Sequence, residues 1–419
     1  MNNLFYDSKL IPIENRSFEL VERKGIGHPD TLADGVAEAI SLEFSNYCYD
    51  HFGAVLHQTL DKIMFIGGKG EFGFNKGRML KPWNLVINGR MTESFGNNKI
   101  DYKKLAANSA IDYLHRVVPN LDTDHWLNII FYTSTSSKNP TWFHPRTLAD
   151  VPDAIKPYAN DTSTAVGYWP LSLTEQLTLL MEKYFYHENG SPRLPFVGQD
   201  IKVMSIRKKK DIEITMCIPF FSAQTPDAKT YFGRKREIQN DLQDLASSFV
   251  KGKYKVKVNV NTQDEMIKKP SEGKGFYFVI SGSALDSGEE GVVGRGNRSR
   301  GIISNVRPYS MEGIQGKNPS YYVGKVYNYV ADLLSKAVAE EFGCECNVFI
   351  SSRNGDDLKI PRHVIVQTSK PISSKKKIAT TLGEILERNL AKDIIKNKPY
   401  LPMPGGGNGY VASSKLIFR

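Results

Sequence analysis

Apolar and polar positions alternate along the chain with two different periods. Runs rich in β-branched and aromatic residues read as strands at Lys62–Ile66, Leu85–Asn88, Leu127–Tyr132 and Phe276–Ile280. Ile212–Ile218 and Tyr254–Val260 alternate with period two, as strands with one buried face do. Helical stripes lie between them. Leu32, Val36, Ile40, Phe44 and Tyr47 share one helix face. Leu173, Leu177, Leu180, Met181 and Tyr184 share another, opened by a Ser172-x-x-Glu175 capping box. Val326, Val330, Leu333, Leu334 and Ala337 form a third stripe, and Ile378, Leu382, Ile385, Leu386 and Ile394 a fourth. Strands come in adjacent pairs between single helices. That order predicts an α+β fold of mixed or antiparallel sheets with helices on one face. Helix-plus-strand units recur about three times, without a repeat in the residues themselves.

Composition narrows the picture. The 419 residues are 40% hydrophobic and 24% charged, which excludes wholesale disorder. Fifty-five Lys and Arg against 45 Asp and Glu leave a formal charge of +10. Such an excess points to nucleic acid, an anionic membrane surface or a polyanionic small substrate. No run reaches the roughly 18 apolar residues a membrane span needs. The first residues contain no apolar secretory core, so a cytoplasmic location is expected. Cys48, Cys217, Cys344 and Cys346 are too few for a disulfide framework, and Cys344-Glu-Cys346 lacks the second pair that zinc requires.

Four segments carry candidate chemistry. Gly25-Ile-Gly27-His28-Pro29-Asp30 runs directly into a helix. Its glycines allow close backbone approach, the helix N-terminus is an anion site, and His28 can donate to a phosphate or a leaving oxygen. Asp30 and Asp34, one turn apart, can hold Mg²⁺; the alternative is a Gly-Pro turn with Asp30 as helix cap. Residues 67–73 match G-x-G-x-x-G after a strand, but no helix follows, so a dinucleotide site fails its context test. Asn160–Ser163 and Gly198–Lys202 each offer a carboxylate among small polar neighbours, or simply turns.

The richest segment is Ser281–Lys325. Arg295, Arg298, Arg300 and Arg307, with Lys317 and Lys325, are interspersed with glycines. Guanidinium forks and flexible backbone N–H groups suit a polyphosphate, and Glu289, Glu290 and Glu312 can hold a bridging cation. The alternatives are a solvated loop or a disordered RNA-binding segment. Ile302, Ile303, Val306 and Met311 argue for an ordered one. The runs Arg207–Lys210 and Lys375–Lys377 read as solvated turns.

These strings together resemble the archaeal-type S-adenosylmethionine synthetases (methionine adenosyltransferases). The matching residues are Val21-Glu-Arg-Lys-Gly-Ile-Gly-His-Pro-Asp30, Asn160–Ser163 with Val166-Gly-Tyr168 and Pro170-Leu-Ser172, Asp200–Met204, Val293–Arg298, Arg307-Pro, Ser310-Met-Glu312 and Gly316–Pro319. They keep the family's order from about residue 15 to residue 330. The resemblance implies three similar subdomains around a pseudo-threefold axis, interleaved in one compact unit and bounded approximately at 1–140, 141–265 and 266–419. It implies a homodimer, or a dimer of dimers, with active sites between subunits, and neither nucleic acid nor membrane as partner. The implied reaction joins ATP and methionine and then hydrolyses the released triphosphate, with Mg²⁺ as cofactor and K⁺ as a further candidate. Carried over residue by residue, His28, Lys202, Arg295 and Lys317 are catalytic. Asp161, Thr133, Ser134, Ser136, Gly294, Arg298 and Asn318 bind substrate. Asp30, Glu289 and Glu290 hold the metal.

The departures fall mostly at one end. Glu289-Glu290 replaces the family's Asp-Asp, and Gln199 replaces a glutamate. The family's Asn-Thr-Asp-Gln reads Thr59-Leu-Asp61-Lys62 here. Thr133–Ser137 stands where the family has a Gly-x-Gly-Ser loop facing the amino-acid substrate. A related enzyme that adenosylates another thioether or nucleophile is therefore one alternative, and a nonenzymatic nucleotide- or RNA-binding paralogue another.

Overall fold

The computed structural model describes residues 3–151, 154, 156–404 and 407–408. Eight helices are described: α1 (Pro29–Phe52), α2 (Tyr102–Val117), α3 (Thr123–Trp126), α4 (Leu173–Lys183), α5 (Ala228–Val250), α6 (Val323–Phe342), α7 (Lys375–Leu386) and α8 (Leu390–Asn397). Three larger sheets carry the architecture. Sheet I orders Leu127–Ser134, Trp83–Met91, Met64–Ile66 and Glu290–Val292, with Gln58–Thr59 beside the second strand. Sheet II orders Lys255–Val260, Asp211–Cys217, Lys202–Lys208, Phe18–Lys24 and Ile303–Ser304. Sheet III orders Leu4–Asp7, His363–Thr368, Cys346–Ser351 and Thr164–Trp169.

The same unit recurs in all three. Each sheet has an antiparallel pair, and a parallel strand flanks the second member of that pair. In sheets I and II a helix, α2 or α5, makes that parallel crossover, as parallel pairing requires. In sheet III the chain's first strand, Leu4–Asp7, takes the parallel place. The units also exchange strands. Phe18–Lys24 precedes α1, which packs on sheet I, yet pairs in sheet II. Thr164–Trp169 precedes α4 of sheet II yet pairs in sheet III. Glu290–Val292 precedes α6 of sheet III yet pairs in sheet I. Loops that leave one sheet for the next unit's helix therefore meet one another, and the candidate site lies there.

Helix α1 is central. His28 caps it, Pro29 fills its first position and Gly53 ends it in the left-handed conformation. Leu32, Val36, Ile40 and Phe44 are fully buried, as their spacing predicts, but so are Asp34, Glu38, Ser41 and Ser45. The capping box at Ser172 forms with both of its hydrogen bonds. The fourth apolar stripe is split: α7 stops at Leu386, and Asn389 caps α8 anew. The Phe276–Ile280 run pairs only at Phe278–Val279, and Met64, not Lys62, begins its strand. Residues 67–73 belong to a hairpin, Lys69–Gly73 against Lys76–Lys81.

Two readings of burial need correction. Arg207 is not part of a solvated turn; it is 2% exposed, its Nε donates to Glu19 and its Nη1 and Nη2 to backbone carbonyls. Lys208–Lys210 are exposed as expected. Met311 contributes no packing, being 85% exposed. The four cysteines are free; Cys48, Cys344 and Cys346 are buried, whereas Cys217 is exposed and lies directly across from Lys202 in sheet II. Among the described residues no helix is long and apolar enough to cross a membrane.

The sheet faces turned away from the helices carry exposed apolar side chains among polar ones. Tyr132, Met64 and Ile66 on sheet I, Phe18 and Ile206 on sheet II, and Phe5 and Ile365 on sheet III are all exposed there.

Candidate functional site

The site begins where Phe18–Lys24 hands over to α1. Gly25 and Gly27 run against residues 199–201, and a Cβ on Gly25 would sit 2.2 Å from the Ile201 carbonyl oxygen. Only glycine fits such an approach. His28 then caps α1, its Nδ1 accepting from the Asp30 N–H at 3.2 Å. Burial, with Lys24 and Lys202 nearby, pushes the His28 pKa down to about 4, against the opposing pull of Asp30 and Glu22. The ring is thus neutral at neutral pH. With Nδ1 an acceptor, Nε2 carries the proton and is a hydrogen-bond donor.

Cations cluster around it. Lys202 faces Lys24 across sheet II, and its Nζ lies 3.0 Å from Glu22. The Lys24 Nζ reaches Asp30 at 2.8 Å and donates to the Arg295 carbonyl at 2.7 Å. Asn297 bonds twice to the Lys24 backbone. The loop that follows Glu290 is thereby fastened to the N-terminal turn of α1. Val292 donates to Asp30 at 3.0 Å, and Gly294 donates to Asp34 at 2.7 Å. Gly294 has a φ of +86°. Arg295 is exposed, and Arg298 lies over the Tyr309 ring. Glu289 and Glu290 are exposed beside this turn. Burial raises Asp34 to about 8, and burial with Glu289 nearby raises Asp200 to about 7.

A second cluster centres on Lys317, which is 8% exposed. Its Nζ lies 3.3 Å from Glu312 and 3.5 Å from Asp61, above the Tyr322 ring. Lys62 also pairs with Asp61, at 2.6 Å. Burial alone would raise the Asp61 carboxyl, but Lys62, Lys317 and Thr59 outweigh it and hold it below the ordinary range. Glu312 accepts from the Ser163 hydroxyl at 2.9 Å, which ties the Asn160–Ser163 loop to this cluster. Asn318 is fully buried, with both ends of its side chain engaged by backbone groups. Asp161 is exposed, and its carboxylate accepts from the Thr162 N–H. A small cavity of about 80 Å³ lies between Arg298 and Glu312, with Val166, Ile302 and Ile314 in its wall.

The Thr133–Ser137 segment is at the rim. Thr133 turns toward the helices and shares a hydrogen bond with Tyr102, while Ser134 and Ser136 are exposed. Ser134 pairs with Arg90, Arg90 with Thr59, and Thr59 bridges to Lys317. The sheet register thus connects this segment to the Lys317 cluster.

The fold gathers His28, Asp30, Lys202, Gly294, Arg295 and Arg298 at the start of α1, with Glu289 and Glu290 at its flank. Lys317, Asn318 and Asp161 belong to the second cluster. Lys24 and Glu38 emerge as site residues only from the structure, though Lys24 stands inside the string Val21–Asp30 and Glu38 continues the i, i+4 spacing of Asp30 and Asp34. Asp34, expected with Asp30 as a Mg²⁺ ligand, is instead buried, its carboxyl accepting from the Gly294 N–H.

The donors also suit magnesium. Asp30, Glu289 and Glu290 offer hard carboxylate oxygens beside a cationic anion site. Among the described residues no three metal-binding side chains cluster on their own. Mg²⁺ is commonly held by one or two carboxylates together with substrate phosphates, and that mode fits these residues.

Comparison with known proteins identifies the family. The S-adenosylmethionine synthetase (AdoMet synthetase) family matches residues 4–397. An S-adenosylmethionine synthase of Thermoplasma volcanium is 38% identical over 362 residues, covering 85% of this chain and 86% of the relative. An uncharacterised protein of Streptococcus pyogenes serotype M3 is 35% identical over 405 residues, covering 93% of each. Among solved structures, an unusual S-adenosylmethionine synthetase from Campylobacter jejuni superposes with a TM-score of 0.54 at 15% identity, covering 95% of this chain and 93% of that one. The structural likeness concerns the fold. The chain belongs to the S-adenosylmethionine synthetase family, on the archaeal-type side of it.

Proposed function

We propose that the protein is an ATP-dependent S-adenosyltransferase that makes S-adenosylmethionine from ATP and methionine. The supporting observation is the neutral His28, with an Nε2–H donor at a helix N-terminus, among Lys24, Lys202, Arg295 and Arg298. A thioether sulfur is neutral and needs no general base. Its lone pair attacks C5′ of the ribose, the C5′–O bond breaks, and the pair of electrons leaves with the triphosphate as the sulfonium forms. The barrier lies in the charge of the leaving group, so catalysis rests on orientation and on fixed donors aimed at that charge. His28 Nε2–H donates to the departing oxygen. Lys202, Arg295, Arg298 and Lys317 hold the triphosphate, which is then hydrolysed to pyrophosphate and phosphate. Asp30 with Glu289 or Glu290 would hold Mg²⁺, which would supply neutralisation of phosphate charge. Asp161, Thr133, Ser134 and Ser136 border the acceptor end.

The active form in this proposal is a homodimer. The exposed apolar residues on the outward sheet faces support it, since patches of this kind mark association surfaces. Lys24, Glu22 and Lys202 occupy the same outward face of sheet II as Phe18 and Ile206. A second copy seated there would complete the cleft.

A second reading keeps the ATP chemistry and changes the acceptor. Thr133–Ser137 favours it, since this departure falls on the segment that stands where the family has its amino-acid-facing loop. One experiment separates the readings. Protein, ATP, Mg²⁺ and either methionine or a panel of thioethers are incubated, and the products are read by mass spectrometry. A sulfonium with methionine supports the first reading, and one formed only with another thioether supports the second. No ATP consumption with any acceptor would refute both and leave a binding protein.

A further inference from the structure

Three carboxylates stand on one face of α1, one turn apart: Asp30, Asp34 and Glu38. Each accepts a backbone N–H from the long segment that carries the site's cations. Asp30 takes Val292 at 3.0 Å, Asp34 takes Gly294 at 2.7 Å and Glu38 takes Gly316 at 3.1 Å. Gly294 directly precedes Arg295, and Gly316 directly precedes Lys317. Both glycines have positive φ, +86° and +74°, so each anchored N–H sits at a sharp bend before a cation. The contact is close along its length. A Cβ on Gly296 would lie 2.0 Å from the Asp34 Oδ2, and one on Gly291 2.1 Å from the Pro29 carbonyl oxygen. Asp34 is 2% exposed and Glu38 fully buried, with the Lys325 Nζ on Glu38 at 2.7 Å.

We infer that Asp34 and Glu38 are positioning residues for triphosphate. They do not touch the substrate. They set the register between α1, which presents His28, and the segment that presents Arg295 and Lys317. Cations on a glycine-rich segment need such a template, because a misplacement of about 1 Å can cost on the order of 100-fold in rate. The inference rests on the proposed reaction through the triphosphate it assumes.

The test measures binding of inorganic triphosphate with Mg²⁺ by calorimetry, and KM for ATP and for the acceptor, on the full-length protein. Asp34→Ala is expected to weaken triphosphate binding and raise the ATP KM by about tenfold or more, with the acceptor KM changed less than about twofold. Asp34→Asn retains an oxygen that can accept from Gly294, and is expected to restore both to within about threefold. Gly294→Ala has open space for its Cβ but strains the bend, and is expected to reproduce the selective loss should Asp34→Ala fail to fold. Equal losses for both substrates, or an Asn variant no better than Ala, would overturn the positioning role. Wild-type protein that neither binds triphosphate nor consumes ATP would overturn the proposed function and this inference with it. Wild-type binding matched by unchanged binding in Asp34→Ala and Gly294→Ala would overturn this inference alone.

Discussion

The two ends of the candidate site are built differently. At the phosphate end, His28, Asp30 and the residues around Gly294 are held by hydrogen bonds between two separate stretches of chain. At the acceptor end the side chains of Ser134, Ser136 and Asp161 are exposed, and the hydrogen bonds that Ser134 and Asp161 accept come from backbone N–H groups one or two residues on. One end has its polar groups fixed before substrate arrives; the other presents exposed side chains without long-range partners among the described residues. Electrostatic catalysis needs the first, because fixed donors require no reorganisation as charge develops. Substrate choice can change through the second without disturbing the fold.

The sharpest test of that contrast removes the scaffold beneath the phosphate end. Lys325 and Glu38 form an ion pair with no exposure on either side chain. Lys325→Ala leaves the Glu38 carboxylate buried and unpaired, and is expected to destabilise the protein by about 3–5 kcal/mol in urea unfolding. A cost near zero would mean that the scaffold is not rigid. Next in size is Lys317→Ala, expected to lower kcat/KM by about 100- to 1000-fold, since it removes a cation from the triphosphate. Near-wild-type turnover would remove Lys317 from the phosphate end.

A third test lies outside both ends, at His57, which stacks on Trp142 and shares a hydrogen bond with Tyr321. Burial, with Arg90 nearby, pushes the His57 pKa down to about 4. The unfolded chain takes up this proton near pH 6.5 and the folded one only near pH 4. Stability from this group is therefore present above pH 6.5 and declines toward pH 4, by up to about 3 kcal/mol. His57→Asn should flatten that pH dependence in denaturant titrations followed by tryptophan fluorescence; an unchanged slope would show that His57 is not its source. The smallest effects are expected at the rim. Ser136→Ala should change unfolding stability by less than about 0.5 kcal/mol and leave the ATP KM unaltered, while shifting the acceptor KM. A change in the ATP KM instead would erase the division between the two ends.

Legibility in the sequence follows the same division by range. The Ser172 capping box and the α1 stripe are local, so spacing reveals them; the cap of α1 is His28 and not Asp30, which lies in the first turn. The α+β class is legible because strand pairs and single helices alternate. The exchange of strands between units is not, since it depends on pairings such as Thr164–Trp169 with Cys346–Ser351. Arg207 looks like one more surface cation until Glu19 is brought to it from 188 residues away. Asp34 shows its spacing from Asp30, yet its partner Gly294 lies 260 residues on. The match of Thr133–Ser137 to a substrate loop could be placed by order along the chain, but its link to Lys317 runs through three strand registers. Helices α2 and α5 are more polar overall than α1, so their apolar stripes are less conspicuous in the sequence.

Cys217 turns this geometry into a ready-made chemical handle. It is the one exposed thiol among the four, and its strand partner is Lys202. Burial of the sulfur raises its pKa, against the nearby Lys202, so alkylation is slow at neutral pH and faster in mild alkali. A thiol reagent should therefore mark one position beside the phosphate end with no engineered cysteine. Protection of that thiol by bound nucleotide would report occupancy on the unmodified chain, without turnover and without knowing the acceptor.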